Sequence, residues 1–243
     1  MGPDGEIIEV KDNLKDLGVY LSSDLSFKLQ VEKVVTSASK LAGWGLRTFR
    51  RRSLVTMRMI WKSLVQPKLD YCSQFWSPGD QESINRLKSV QRHFFSKVSS
   101  LEGLDYWEKL RSLKILSQER RRERYMVLFL WKISQGMVQG YDVQFTCNRG
   151  RRGRTALPHN VVSSSPAPVR KARESSLGVK GARIFNLLPT EVRNLDSKSI
   201  DICKMKLDDF LSNIPDQPTI AGLGRSAESN SLLHQIPQFM LNR

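Results

Sequence analysis

Asp208 and Asp209 are the only adjacent carboxylates in the chain, so they are the first place to look for catalysis. Metal-assisted phosphoryl transfer needs two carboxylates that hold cations a few ångström apart. This pair lies within KLDDFL, where Leu207, Phe210, Leu211 and Ile214 mark a helical period. Neighbouring side chains on a helix diverge by about 100°. The pair therefore reads as a solvated helix face. His93, His159 and His234 stand apart, with no HxxxH spacing and no nearby cysteine. Neither a nucleophile-elbow GxSxG, a phosphate-cradling P-loop nor a GxGxxG pattern occurs. No complete catalytic constellation emerges, and no metal-ligating set.

Arginine offers more. Four basic clusters punctuate the chain: Arg47, Arg50, Arg51 and Arg52; Arg120, Arg121, Arg122 and Arg124; Arg149, Arg151, Arg152 and Arg154 in RGRRGR; and a looser group from 170 to 183. Guanidinium groups make bidentate contacts to phosphate. Formal net charge is +15 and the pI is about 10, a balance that favours nucleic acid as partner over an anionic membrane. The glycine-spaced RGRRGR suits contact that ignores sequence. Trp44, Trp61, Trp76, Trp107 and Trp131 read as core residues more than as stacking platforms, since most fall on apolar faces. No apolar run approaches the ~20 residues of a membrane span, and the first residues lack a signal-peptide pattern. Cys72, Cys147 and Cys203 are too few and too scattered for a disulfide framework or a CxxC knuckle. An intracellular, reduced protein is expected, in nucleus or cytoplasm.

The elements that must position these residues are mainly helical. Residues 6–10 and 17–21 suggest a β-hairpin around a polar connection. Phe27, Val31, Val34, Ala38 and Leu41 alternate spacings of four and three, a helical seam that Gly43 and Gly45 weaken at its end. Ser53 caps a second helix whose face is Leu54, Met57, Trp61 and Leu64, and Pro67 breaks it. A third runs from about Gln81 to Val98 on Leu87, Val90, Phe94 and Val98, with Arg86, Lys88 and Arg92 elsewhere. A short helix spans Tyr106 to Leu113. Ser117 caps the next, with Met126, Phe129, Leu130 and Ile133 as its stripe. The expected organisation is a hairpin at 1–21, a helical body at 22–136 and a basic flexible linker at 137–183. A small helical unit at 184–214 and a disordered tail at 215–243 complete it.

Certain stretches also carry a likeness. Lys15-Asp16-Leu17-Gly18-Val19, LVQPKLDYCSQFWSP at 64–78, SVQRHFFSKV at 89–98, DYWEKLRSLKILSQERRRERY at 105–125 and RIFNLLPTEVRN at 183–194 occur in this order. Together they resemble the region after the palm in jockey-like reverse transcriptases of non-LTR retrotransposons, from about Val10 to about Pro218. The resemblance implies that Asp16, Leu17, Gly18 and Val19 form a primer-grip-like hairpin. It implies that the following helices form a thumb, which holds a template–primer duplex of RNA and DNA by its backbone. The family's Tyr-x-Asp-Asp and its Mg²⁺ belong to a palm upstream of the resembling region. The resemblance thus implies a nucleic-acid-binding fragment without the polymerase centre and without a cofactor of its own. The alternatives are a subunit or truncated gene model of an active RNA-directed DNA polymerase whose palm is encoded upstream, an inert remnant, and a helical protein-interaction module.

Overall fold

The computed structural model describes residues 11–50, 52–139, 166–193, 199–218 and 229–241. The chain is mainly helical and begins with a two-stranded antiparallel hairpin. Strand β1 (Asn13–Asp16) pairs with β2 (Val19–Ser22), Asp16 opposite Val19 and Asn13 opposite Ser22. Only Leu17 and Gly18 lie between them, both at positive φ (43° and 85°), as a tight hairpin turn requires. The polar segment expected to connect two strands is thus itself half of the hairpin, and 6–10 lies outside the described residues. β1 is exposed along its whole length, so it shows no apolar alternation to betray it. The Tyr71 hydroxyl donates to the Leu17 carbonyl at 2.9 Å, and the Tyr20 amide donates to the Gln30 side chain at 2.9 Å. These two bonds dock the hairpin on the helices.

Helix α1 (Lys28–Thr48) runs straight through Gly43 and Gly45. A Cβ on Gly45 would sit 2.9 Å from Ile60 Cγ2, so glycine here permits close approach of the next helix. That helix, α2 (Leu54–Ile60), has Ser53 as its N-cap, as the sequence suggests. It does not stop at Pro67. A wide π-helical turn (Trp61–Val65) passes into α3 (Gln66–Asp70), with Pro67 in the first turn of α3. Proline lacks an amide hydrogen, and the first turn of a helix is where that loss is tolerated. The extra residue in the turn also moves the buried face. Met57, Trp61, Val65 and Leu69 are fully buried, four residues apart, while Leu64 is only half-buried.

Helix α4 (Gln81–Phe95), capped by Asp80, buries Leu87, Val90 and Phe94. A 3₁₀ turn (Ser99–Leu101) leads to α5 (Tyr106–Leu113), which opens with an Asp105–Glu108 capping box. Trp61, Phe94 and Phe95 meet with ring centroids 5.0–5.5 Å apart at the centre of this first core. Helix α6 (Gln118–Ser134), capped by Ser117, is buried on nearly every side. Its second half, from Val127 to Ile133, belongs to a second core.

The remaining elements are α7 (Ala167–Ser175), a π turn (Leu177–Gly181), α8 (Ala182–Leu187), α9 (Thr190–Arg193), α10 (Ile200–Ser212) and α11 (Leu232–Leu241); all but α7 contribute to that second core. Two expectations are corrected here. The end of the expected flexible linker is helical, and Val179, Gly181 and Ala182 are buried. The expected disordered tail carries α11, whose Leu232 and Ile236 are buried against α6, α8 and α10. Leu-Leu-x-x-Ile gives one helical turn of apolar spacing, too short to stand out from a polar tail. The 184–214 segment is likewise no separate unit, since its core includes α6.

Candidate nucleic-acid interface

The catalytic reading of Asp208–Asp209 finds no support in their placement on α10. Arg124 donates through Nε and Nη2 to the two carboxylate oxygens of Asp208, tying α6 to α10. No group of three or more His, Cys, Asp or Glu among the described residues has the geometry of a metal site. His93 and His234 are exposed, and His159 lies outside the described residues. Burial pushes the Cys203 thiol up to about 11, with Asp208 adding to the effect and Arg124 opposing it. Such a thiol is a poor nucleophile.

Arg120, Arg121, Arg122 and Arg124, expected to face phosphate, are instead turned inward. Arg120 is fully buried and donates to the carbonyls of Ile214 (3.2 Å) and Pro215 (3.1 Å) and to the Gln235 side chain. Arg122 donates to the carbonyls of Leu69 (2.8 Å) and Trp76 (3.0 Å), with its guanidinium 4.0 Å from the Trp76 ring centre. Burial pushes Arg122 down to about 10. Arg121 pairs with Asp70 at 2.7 Å. Consecutive arginines on a helix radiate about 100° apart, and α6 is enclosed by both cores, so each finds a different internal partner.

Carboxylates complete this seam between the cores. Lys88 of α4, fully buried, meets Glu119 at 2.6 Å, and Lys180 meets Glu123 at 2.9 Å. The segment before α11 closes over them. Ser229 and the Asn230 amide donate to Glu119, and Ser231 and the Leu232 amide donate to Glu123. The helical period puts Lys88 off the apolar face of α4. Its ammonium is inside because Glu119 is there to receive it, a partner 31 residues distant.

The first arginine cluster is different. Arg47, Arg50 and Arg52 are exposed at the end of α1 and in the turn to α2. Arg51 lies outside the described residues, as do Arg149, Arg151, Arg152 and Arg154. Beside the cluster, Trp44 is 49% exposed and Phe49 40%. Their rings meet edge to face, 6.4 Å apart and nearly perpendicular (86°). For Trp44 the core expectation fails, whereas Trp61, Trp76 and Trp131 fulfil it with no exposure at all.

A groove of about 820 Å³ lies between the hairpin, α1 and α3. Lys15, Lys33, Lys40 and Lys68 line it, together with Gly18 of the hairpin turn, Tyr20, Thr36, Ser37 and Tyr71. Among the described residues, no carboxylate lines it. The chain accounts for the α1 and α3 side of it: from Lys33 to Leu69 there are nine lysines and arginines and not one Asp or Glu. Partial burial lowers Lys62, and nearby Arg58 and Arg121 lower it further, a mark of crowded positive charge. Along α1, Lys33, Ser37, Lys40, Trp44 and Arg47 succeed one another at spacings of four and three. At 1.5 Å per residue this stripe is about 21 Å long. It joins the groove to the exposed Trp44–Phe49 pair. Reading for arginine clusters missed these lysines because they are isolated in sequence. The signal was their helical spacing and the run without acids.

Comparison of the chain with protein-family models, with curated proteins and with solved structures returned no match.

Proposed function

We propose that this protein is a nucleic-acid-binding module that grips a polynucleotide by its backbone. The lysine-lined groove, with no carboxylate among the described residues that line it, continued by the α1 stripe, is the observation that carries this reading. Lysine ammoniums and serine and threonine hydroxyls recognise phosphate and sugar, which fixes position without reading bases. The resemblance to the post-palm region of non-LTR reverse transcriptases agrees with it. A thumb-like body would hold a template–primer duplex, RNA–DNA hybrid included, with the Asp16–Val19 hairpin at one wall of the groove. The hairpin's outward leucines, Leu14 and Leu17 (84% exposed), favour a second contact there, with a separate protein domain such as a palm.

Binding to a 20-base-pair duplex, titrated with salt, tests the reading. Each phosphate neutralised contributes about −0.9 to the logarithmic slope on B-DNA. Lys33→Ala/Lys40→Ala should flatten the slope by about 1.8 units and weaken binding alike on unrelated sequences. A slope equal to wild type would remove the groove from the interface.

A further inference from the structure

Trp44 and Phe49 are large, partly solvent-facing rings that their own chain leaves half uncovered. Their edge-to-face arrangement sets the edge of one ring against one face of the other, so the pair itself leaves the remaining ring faces unstacked. Arg47, Arg50 and Arg52 surround them in sequence and are exposed. The nearest acidic residues along the chain are Glu32 and Asp70. A ring pair flanked by cations, with no carboxylate in the segment, complements a ligand that is flat, apolar on its faces and negatively charged along one edge. An unpaired nucleotide in a strand has that character. A paired base does not, because its faces are already covered by the stack of the duplex.

Resting on the backbone-binding reading above, we infer that the Trp44–Phe49 pair is a stacking platform for unpaired bases. It takes single-stranded DNA or RNA that runs on from the lysine groove along α1. The rings hold the bases, and Arg47, Arg50 and Arg52 hold the intervening phosphates. Aromatic stacking tolerates any base, so the platform confers a preference for single strands without sequence preference. The approximately 21 Å stripe then joins two contacts of different kind, a groove for backbone and a ring pair for bases.

Three probes separate the terms: dT12, a 12-unit abasic oligomer with the same phosphates, and a 12-base-pair duplex. Wild type should bind dT12 roughly tenfold or more tighter than the abasic oligomer, since stacking contributes roughly 5- to 150-fold per base. Trp44→Leu/Phe49→Leu should bring the two to within about twofold and leave the duplex unchanged. Circular dichroism melting of that variant should match wild type, because both rings are half-exposed. Adding dT12 should quench tryptophan fluorescence in wild type and far less in Trp44→Leu, as Trp61, Trp76 and Trp131 are fully buried and Trp107 is half-buried. Lys33→Ala/Lys40→Ala should weaken all three probes. If the lysine variant does so while the ring variant still prefers dT12 over the abasic oligomer, the platform is overturned and the backbone reading stands. If the ring variant binds every probe as wild type does, the pair does not contact nucleic acid and the inference is likewise overturned. If the lysine variant changes nothing, the backbone reading itself falls.

Discussion

Lys88→Met tests whether the seam between the two cores is held by charge. Lys88 has no solvent exposure and its ammonium lies 2.6 Å from Glu119. Removing one partner of a buried pair costs about 3–5 kcal/mol, chiefly because the other charge is left without compensation. Here Glu119 keeps the Ser229 hydroxyl at 2.8 Å and the Asn230 amide at 3.2 Å, and methionine keeps most of the lysine stem. The lower end of the range, about 3 kcal/mol at pH 7, is therefore expected from urea denaturation. The pH dependence is the sharper discriminator. Burial alone would raise the Glu119 carboxyl. Lys88, then Lys180 and Ser229, outweigh it and hold the group below its ordinary 4.5. Stability from a depressed carboxylate is complete above the unfolded value and is lost as pH falls through the native one. In Lys88→Met burial gains weight and the carboxyl rises. The variant's deficit should then be widest near pH 7 and shrink as pH falls towards 4.5. Glu119→Gln added to Lys88→Met should cost much less than it does alone. A deficit under about 1 kcal/mol at pH 7, or one independent of pH, would refute the account of the seam as an ion-paired joint.

Gly45→Ala should destabilise the protein by about 1–3 kcal/mol despite alanine's helix propensity, because its Cβ meets Ile60 at 2.9 Å. Gly43→Ala, facing only the mobile end of Arg47, should stabilise it by up to about 1 kcal/mol; thermal melts of both variants check the contrast. Deleting 219–243 removes Leu232 and Ile236 from the second core and strips Glu119 and Glu123 of partners. The shortened chain should lose roughly 4 kcal/mol or more, seen as an early melting step, and an unchanged melt would contradict the integral role of α11. The chain should not extend a primed RNA template with Mg²⁺ or Mn²⁺, since Arg124 engages Asp208 and neighbouring Asp209 diverges on the helix; primer extension above background would contradict this.

Local patterning was enough for several elements. Ser53 and Ser117 announce helix starts because a hydroxyl acceptor is needed where the first amides lack carbonyls. The alternation of Val31, Ala38 and their neighbours, and that of Leu87, Val90 and Phe94, marks buried faces because helix period and burial coincide there. The sequence alone also determined the excess of positive charge and the run from Lys33 to Leu69 in which no acid offsets it. Other features depend on partners far along the chain. Nothing local distinguishes Arg120 and Arg122, which are buried, from Arg47 and Arg50, which are exposed. The difference is that Leu69, Trp76, Ile214 and Pro215 supply carbonyls to the first pair. Lys88 goes inside because Glu119 waits there, and the short apolar run of α11 becomes a helix because a second core receives it. Lys15, Lys33, Lys40 and Lys68 become one groove only when the hairpin folds back against α1 and α3. Charge is a property of composition. Which charges reach solvent is decided by packing, because a buried ion survives only where distant residues replace the water it has lost.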